Sequence, residues 1–158
     1  PDTSAEDAEQ ARRLEAARLL EEDRLLKEAA ALEAARKAFV SENVRFAFNS
    51  YDLSNQAQRI LNKKADYLRM NSGVKVTVEG YCDERGTEAY NIALGKKRAE
   101  SVKKFLVDQG ISTDRLVTVS YGEKKPIALG HDEASWAKNR RAQTVVNLNY
   151  DYHKSAKN

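Results

Sequence analysis

Residues 81–102 read Tyr81-Cys-Asp-Glu-Arg-Gly-Thr-Glu-Ala-Tyr-Asn-Ile-Ala-Leu-Gly-Lys-Lys-Arg-Ala-Glu-Ser-Val102, a pattern that predicts a strand, a tight turn and a long helix. Thr87 is predicted to cap this helix at its N-terminus. At about 100° per residue, Leu94, Arg98 and Val102 share the apolar face that packs inward. An arginine therefore lies in the middle of a buried face, where an unpaired guanidinium is strongly disfavoured.

Two explanations of the inward-facing Arg98 remain open at the level of the sequence. Asp83 ends the preceding strand and is the nearest acid, just before the turn Glu84-Arg85-Gly86. In the first explanation, Arg98 forms a structural ion pair with Asp83 or bonds to a carbonyl. In the second, the two side chains line a cleft and accept a ligand with both charges, since a guanidinium suits a carboxylate and a carboxylate suits an ammonium. Asn91 lies on the same side of the helix.

The segments on either side predict an α/β sandwich of order β-α-β-α-β-(α)-β, with a mixed four-stranded sheet and helices on one face. The predicted strands are residues 44–48, 74–79, 116–120 and 141–150, and the predicted helices are residues 54–71, 87–109 and about 132–137. Alternation in the first strand puts Phe46 and Phe48 on one face. Ser54 is the predicted N-cap of the first of these helices.

Residues 1–42 differ in composition, because they contain no Gly, no Pro after Pro1, and many strong helix formers. They predict a helix of about 38 residues, roughly 57 Å long. Its apolar positions form a drifting, Ala-rich stripe, which favours a solvated spacer or stalk over a dedicated pairing helix. The resulting domain prediction is a spacer over 1–42, a globular domain over 43–152 and a tail over 153–158.

Charge is divided unevenly between these regions. Residues 1–42 hold 11 acidic and 7 basic residues, whereas the rest holds 13 acidic and 20 basic residues. A basic domain behind an acidic segment indicates an anionic partner. Nucleic acid, a membrane and a cell-wall polymer all meet that description. The lysines are spread over the predicted helices without an aromatic platform, so we expect no nucleic-acid partner.

No apolar run approaches the roughly 20 residues that span a bilayer.

The sequence contains little that suggests catalysis. The single cysteine, Cys82, excludes an internal disulfide and a multi-cysteine metal site. Asp83 and Glu84 beside it disfavour the thiolate, and His131 and His153 lie far apart in the chain. We therefore expect no enzyme activity, no catalytic residues, no metal and no cofactor.

Five segments carry a resemblance to a known family. They are Phe46-Ala-Phe-Asn-Ser-Tyr-Asp-Leu53, Val78-Glu-Gly-Tyr-Cys-Asp-Glu-Arg-Gly-Thr87, Tyr90-Asn-Ile-Ala-Leu-Gly-Lys-Lys-Arg-Ala99, Val119-Ser-Tyr-Gly-Glu123 and Gly130-His-Asp-Glu-Ala-Ser-Trp-Ala-Lys-Asn-Arg-Arg-Ala142. Together they resemble the OmpA-like peptidoglycan-binding domain and, within that family, the peptidoglycan-associated lipoproteins. The resemblance covers about residues 44–150 and excludes residues 1–42.

This resemblance implies non-covalent binding of the peptide stem of peptidoglycan, centred on meso-diaminopimelate. By position, Asp83 would hold the ammonium of the ligand and Arg98 its carboxylate. Phe48 and Leu94 would line the pocket, and Asn91 would support it. We expect these residues to form one site.

Five further positions have weaker assignments from the resemblance. Cys82 would contact the ligand through its backbone or small side chain, although the family commonly has Ala or Thr there. Asn49 stands where the family usually has Asp, which removes one negative charge near the ligand. Thr87, Arg140 and Arg141 would support the site, but anchoring the last strand explains the two arginines equally well.

The family also implies a position in the envelope of a Gram-negative bacterium, at the periplasmic face of the outer membrane. Its members are tethered by a lipidated N-terminal cysteine and have a periplasmic TolB-like partner. Since the only cysteine here is Cys82, such an anchor would precede Pro1 or be absent. The alternatives are a wall-binding module of another envelope protein, such as a motor-associated one, or a basic domain that binds a different anionic polymer.

Overall fold

The computed structural model of the chain describes residues 3–147 and divides the chain into two units, Pro1–Lys37 and Ala38–Asn158. The last residues of the predicted fourth strand, the predicted tail 153–158 and His153 lie outside the described residues.

Helix α1 spans Ser4–Ser41, which confirms the predicted long helix. In the first unit its leucines are more than half exposed, between 51% and 72%. Ion pairs between residues three or four apart cover this part of the helix, including Arg12–Glu9, Arg24–Glu28 and Arg36–Glu33. Such pairs stabilise a helix whose surface faces water.

The last turn of α1 belongs to the second unit. Phe39 is buried and stacks on Tyr67, with ring centroids 4.6 Å apart. The buried Lys64 donates from Nζ to the carbonyl oxygen of Phe39 and, at 2.7 Å, to Thr144 Oγ1. The second unit therefore begins at Ala38, a few residues before residue 43, where composition alone would divide the chain.

The sheet has four strands, β1 (Val44–Arg45), β2 (Val76–Tyr81), β3 (Leu116–Gly122) and β4 (Arg141–Val146). Their spatial order is β1-β4-β2-β3. Strands β2 and β3 are parallel, whereas β4 is antiparallel to both β1 and β2. The predicted mixed four-stranded sheet is therefore confirmed.

Three helices complete the domain, α2 (Asn55–Met70), α3 (Glu88–Asp108) and α4 (Glu133–Asn139), and a short 3-10 turn precedes β3. The predicted caps are present, since the side chain of Ser54 accepts from Ala57 N and that of Thr87 accepts from Tyr90 N. The core contains apolar residues from α2 and α3 and from one face of β2. They include Leu61, Leu68, Val76, Val78, Val102 and Leu106.

The first strand is shorter than predicted, and its two phenylalanines do not share a face. Strand β1 ends at Arg45, after which Phe46 N donates to the carbonyl oxygen of Arg140 and the chain turns through Asn49, whose φ is 55°. Phe46 is 4% exposed and Phe48 is 59% exposed. Because the strand has ended and the chain turns, Phe48 is not part of the sheet and lies beside the cleft described below.

Candidate ligand-binding site

A narrow cleft lies where the loop after β1, the end of β2 and the first half of α3 meet. Its lining residues are Phe48, Asn49, Cys82, Asp83, Arg85, Tyr90, Asn91, Leu94 and Arg98. All seven residues predicted to contact a ligand thus surround one cleft. Arg85 and Tyr90 also line it and were absent from the sequence prediction.

Helix α3 reaches this cleft because glycines let it lie directly on the sheet. A Cβ atom added to Gly80 in β2 would lie 1.7 Å from the carbonyl oxygen of Gly95 in α3. One added to Gly95 would lie 2.3 Å from Ser120 Oγ. Arg98 follows Gly95 by about one helical turn, so this close contact determines how near Arg98 lies to the sheet.

Arg98 is 1% exposed and bonds to carbonyl oxygens. Its Nε donates to Ser50 at 2.8 Å, Nη1 to Tyr81 at 2.9 Å and Nη2 to Ala47 at 3.1 Å. These bonds satisfy the buried charge with backbone dipoles, and they fasten the loop after β1 to α3. A guanidinium has more N–H groups than three bonds use, so Arg98 keeps donors for a further acceptor.

Of the two structural partners considered for Arg98, the structure has carbonyl oxygens and not Asp83, since no hydrogen bond or salt bridge joins Arg98 to Asp83 within residues 3–147. Asp83, 4% exposed, pairs instead with two other arginines. Arg85 Nη2 lies 2.8 Å and Arg140 Nη1 3.5 Å from its Oδ2, and Arg85 N donates to Oδ1 at 3.0 Å. Burial alone would raise the pKa of Asp83, but these bonds outweigh it and hold the pKa below its ordinary value.

Arg85 lies between two aromatic rings. Its guanidinium carbon is 4.0 Å from the ring centroid of Phe48 and 4.1 Å from that of Trp136 in α4. Such cation–π contacts add to the ion pair with Asp83. The one signal for this position was an arginine inside the quoted turn, but Trp136 is too distant along the chain for periodicity to relate the two residues.

Asn91 and Cys82 shape the turn that presents Asp83. Asn91 is 1% exposed, and its Nδ2 donates to the carbonyl oxygen of Arg85 at 3.1 Å. Cys82 Sγ donates to the carbonyl oxygen of Asn91 at 3.2 Å. Burial raises the pKa of the Cys82 thiol to about 11, so it is protonated at neutral pH.

The three residues predicted as supporting lie around the cleft and do not line it. Thr87 caps α3. Arg140 donates from Nε to the carbonyl oxygen of Phe46 at 2.9 Å and reaches the cleft only through Asp83. Arg141 lies over the ring of Tyr81 at 3.7 Å and donates to loop carbonyls, so it anchors the last strand.

The part of the chain from residue 3 to residue 147 has neither a candidate metal centre nor a candidate membrane span. In that part, no group of three or more His, Cys, Asp or Glu side chains is placed to hold a metal ion. No helix there combines the length and the apolar character needed to cross a bilayer.

Comparisons with known proteins identify relatives of the second unit. The chain is 52% identical over 99 residues to the peptidoglycan-associated lipoprotein of Haemophilus influenzae, covering 63% of this chain and 65% of that protein. It is 48% identical over 111 residues to the protein of that name from Pseudomonas aeruginosa, covering 70% of this chain and 64% of that protein. The matches thus span just under two thirds of the length of these curated relatives.

Solved structures agree with this relationship. The crystal structure of the peptidoglycan-associated lipoprotein from Burkholderia pseudomallei matches with a TM-score of 0.67 at 44% identity, covering 70% of this chain and 93% of that chain. The C-terminal domain of Helicobacter pylori MotB matches with a TM-score of 0.64 at 22% identity, covering 73% and 90%, and shows a shared fold only. The OmpA family model matches residues 45–142. On these grounds the chain belongs to the OmpA family.

Proposed function

We propose that this chain is a non-catalytic module that binds the peptide stem of peptidoglycan at meso-diaminopimelate and links the outer membrane to the cell wall. The observation that carries the proposal is that a buried cation, Arg98, and a buried anion, Asp83, line one small cleft without bonding to each other. Membership of the OmpA family and the similarity to proteins named peptidoglycan-associated lipoproteins support it.

The side chain of diaminopimelate has the chemistry that this cleft requires. Its far end carries an ammonium and a carboxylate on one carbon atom, at the end of a short aliphatic chain. Arg98 would receive the carboxylate through its remaining N–H groups, and Asp83 would receive the ammonium. Phe48 and Leu94 supply apolar surface for the aliphatic chain.

The proposal extends to the cellular context. The relatives from Haemophilus and Pseudomonas are named lipoproteins, and we propose for this chain too a lipid tether to the outer membrane. A TolB-like periplasmic protein is the proposed partner. In this arrangement, the exposed part of α1 acts as a spacer, which its dense ion pairs support because they stabilise a helix in water.

Substitution of Arg98 tests the proposed function against a matched control. Arg115 donates to the carbonyl oxygens of Leu68, Asn71 and Val74 at 2.8–2.9 Å, and it does not line the cleft. The variants Arg98→Ala and Arg115→Ala therefore both lose an arginine that fastens backbone segments. Calorimetry with the tripeptide L-Ala-γ-D-Glu-meso-diaminopimelate should show affinity reduced about ten- to a hundredfold in Arg98→Ala, as expected for charge-assisted hydrogen bonds.

The control should bind nearly as well as the wild type, whatever its loss of stability. Thermal unfolding of both variants verifies that the measured protein is folded. Unchanged affinity in folded Arg98→Ala would contradict the proposal. An equal loss of affinity in Arg115→Ala would also contradict it, since general destabilisation would then explain the result.

A further inference from the structure

We propose that Arg85 determines the affinity and the specificity of this cleft, because it holds the position on Asp83 that the ammonium of a ligand needs. This inference rests on the proposed function and adds that Arg85, a side chain of the protein itself, competes with the ammonium of the ligand for Asp83. Binding then becomes an exchange of one cation for another: the guanidinium of Arg85 leaves Asp83, and the ammonium of the diaminopimelate stem takes its place.

The contacts of Arg85 leave little of Asp83 accessible. Both side-chain oxygens of Asp83 accept from this arginine, Oδ1 from Nε at 3.2 Å and Oδ2 from Nη2 at 2.8 Å. The rings of Phe48 and Trp136 also contact the guanidinium, with their centroids 4.0 Å and 4.1 Å from its carbon atom. Since Asp83 is only 4% exposed, a second cation reaches its carboxylate only when the Arg85 side chain has moved.

Asp83 keeps other partners when that side chain moves. The backbone N–H of Arg85 still donates to Oδ1, and Arg140 Nη1 remains near Oδ2 at 3.5 Å. These fixed groups hold the carboxylate ionised and oriented, so the anion site is preformed for an incoming ammonium. A ligand without an ammonium has nothing to offer Asp83 in exchange.

The carboxylate of Glu133 can receive the displaced guanidinium of Arg85. The side chain of Arg85 is 31% exposed, and its Nη2 already lies 4.0 Å from Glu133 Oε2, which is itself well exposed. Leaving Asp83 therefore does not strand a buried charge. It breaks a partly exposed ion pair and the contact with two rings, which is a moderate cost that the bound ammonium offsets.

The first test is the affinity of Arg85 variants for the meso-diaminopimelate tripeptide. We expect Arg85→Ala to bind about three- to tenfold more tightly than the wild type, because the competitor is gone. Arg85→Lys keeps a cation but loses the planar fork, and should fall between the two. Arg69→Ala is the control, since Arg69 pairs with Asp66 outside the cleft at 2.7 Å, and it should leave the affinity unchanged. Unchanged or weaker binding by folded Arg85→Ala would overturn the inference.

The second test is the identity of the ligand group that gains. A synthetic stem ending in α-aminopimelate keeps the carboxylate for Arg98 but has no ammonium for Asp83. Removing Arg85 should not improve its binding, whereas binding of the diaminopimelate stem improves. An equal gain for both stems would show that Arg85 merely obstructs the cleft, which would overturn its role in specificity.

The third test is spectroscopic and follows Arg85 in the wild-type protein. Trp136 is the only tryptophan in the chain, so its emission reports directly on the guanidinium over its ring. Adding the diaminopimelate stem to the wild type should change the emission towards that of Arg85→Ala or Arg85→Lys. Emission that stays constant while calorimetry records saturation would contradict the movement of Arg85.

These outcomes separate the inference from the proposed function. A wild-type protein that does not bind the diaminopimelate stem overturns the proposed function, and this inference falls with it. A wild-type protein that binds it, without a gain in Arg85→Ala and without a change at Trp136, overturns this inference alone.

Discussion

At the scale of single residues, Arg98 has a structural role beside the binding role proposed for it. Its bonds to the carbonyls of Ala47, Ser50 and Tyr81 hold the loop that carries Phe48 and Asn49. The same loop forms one wall of the cleft. The charge proposed to receive the ligand therefore also fixes the wall opposite it, which keeps the site preformed.

Asn49 offers a test of the charge in that wall. It lies exposed at the cleft with a φ of 55°, a conformation that Asn and Asp both tolerate. We expect Asn49→Asp to tighten binding of the diaminopimelate stem about two- to fivefold at low salt, because it adds a negative charge near the ammonium. The gain should fade at high ionic strength. Weaker binding at low salt, measured by calorimetry, would show that this side chain does not face the ammonium.

Lys64 offers a test of burial. Desolvation lowers its pKa to about 8, although the charge of Glu42 opposes the shift. Because the folded pKa lies below the unfolded one, near 10.4, the unfolded chain binds more protons between these values. The free energy of unfolding of the wild type, relative to Lys64→Met, should therefore rise as the pH increases from about 8. Chemical denaturation over that range measures it, and a difference that stays flat or falls would contradict the shift.

Residue-level prediction from the sequence succeeded where periodicity applies and failed where partners are distant. The 3.6-residue repeat identified Arg98 and Asn91 as inward-facing, and both are buried. It could not identify the carbonyls of the loop after β1, so it left Asp83 and an unspecified carbonyl as alternative partners of Arg98. The actual partner of Asp83, Arg85, is held by Trp136, and that contact depends on where α4 packs.

At the scale of elements, the contact between β2 and α3 decides the depth of the cleft. A Cβ atom at Gly80 would meet the backbone of Gly95 at 1.7 Å, whereas one at Gly95 meets first a side-chain oxygen that can rotate away. Gly73 has no neighbour within 4 Å and serves as the control. We expect Gly80→Ala to lower the free energy of unfolding by about 3 kcal/mol or more, Gly95→Ala by less, and Gly73→Ala hardly at all.

Urea denaturation of the three variants measures this order. Gly80→Ala should also weaken ligand binding, since displacing α3 moves Arg98 away from the loop after β1. A stable Gly80→Ala protein with normal affinity would show that the close approach of helix and strand does not set the site.

Element boundaries were harder to predict than element types. Helices α1, α2 and α3 were predicted at nearly their observed bounds, because caps and helical repeats depend on residues that are close together in the sequence. Strand β1 was predicted too long, because Phe46 and Phe48 alternate as in a strand. The turn at Asn49, imposed by the carbonyl bonds to Arg98, overrides that local pattern.

At the scale of the whole molecule, the two units differ in charge and in the forces that stabilise them. The acidic N-terminal helix is covered by ion pairs, and the basic second unit is stabilised by an apolar core. The excess of basic residues in the second unit suits an anionic polymer such as peptidoglycan. The contacts proposed for Asp83 and Arg98 would add what net charge lacks, a distinction between one end group and another.

The discrimination between these end groups can be measured with two matched ligands. Calorimetry should compare two tripeptides that differ only in their last residue, L-Ala-γ-D-Glu-meso-diaminopimelate and L-Ala-γ-D-Glu-L-Lys, against the wild-type protein. Lysine keeps the ammonium for Asp83 and lacks the carboxylate for Arg98. We predict binding of the diaminopimelate stem that is about ten- to a hundredfold tighter. Equal affinity for the two stems would contradict the account.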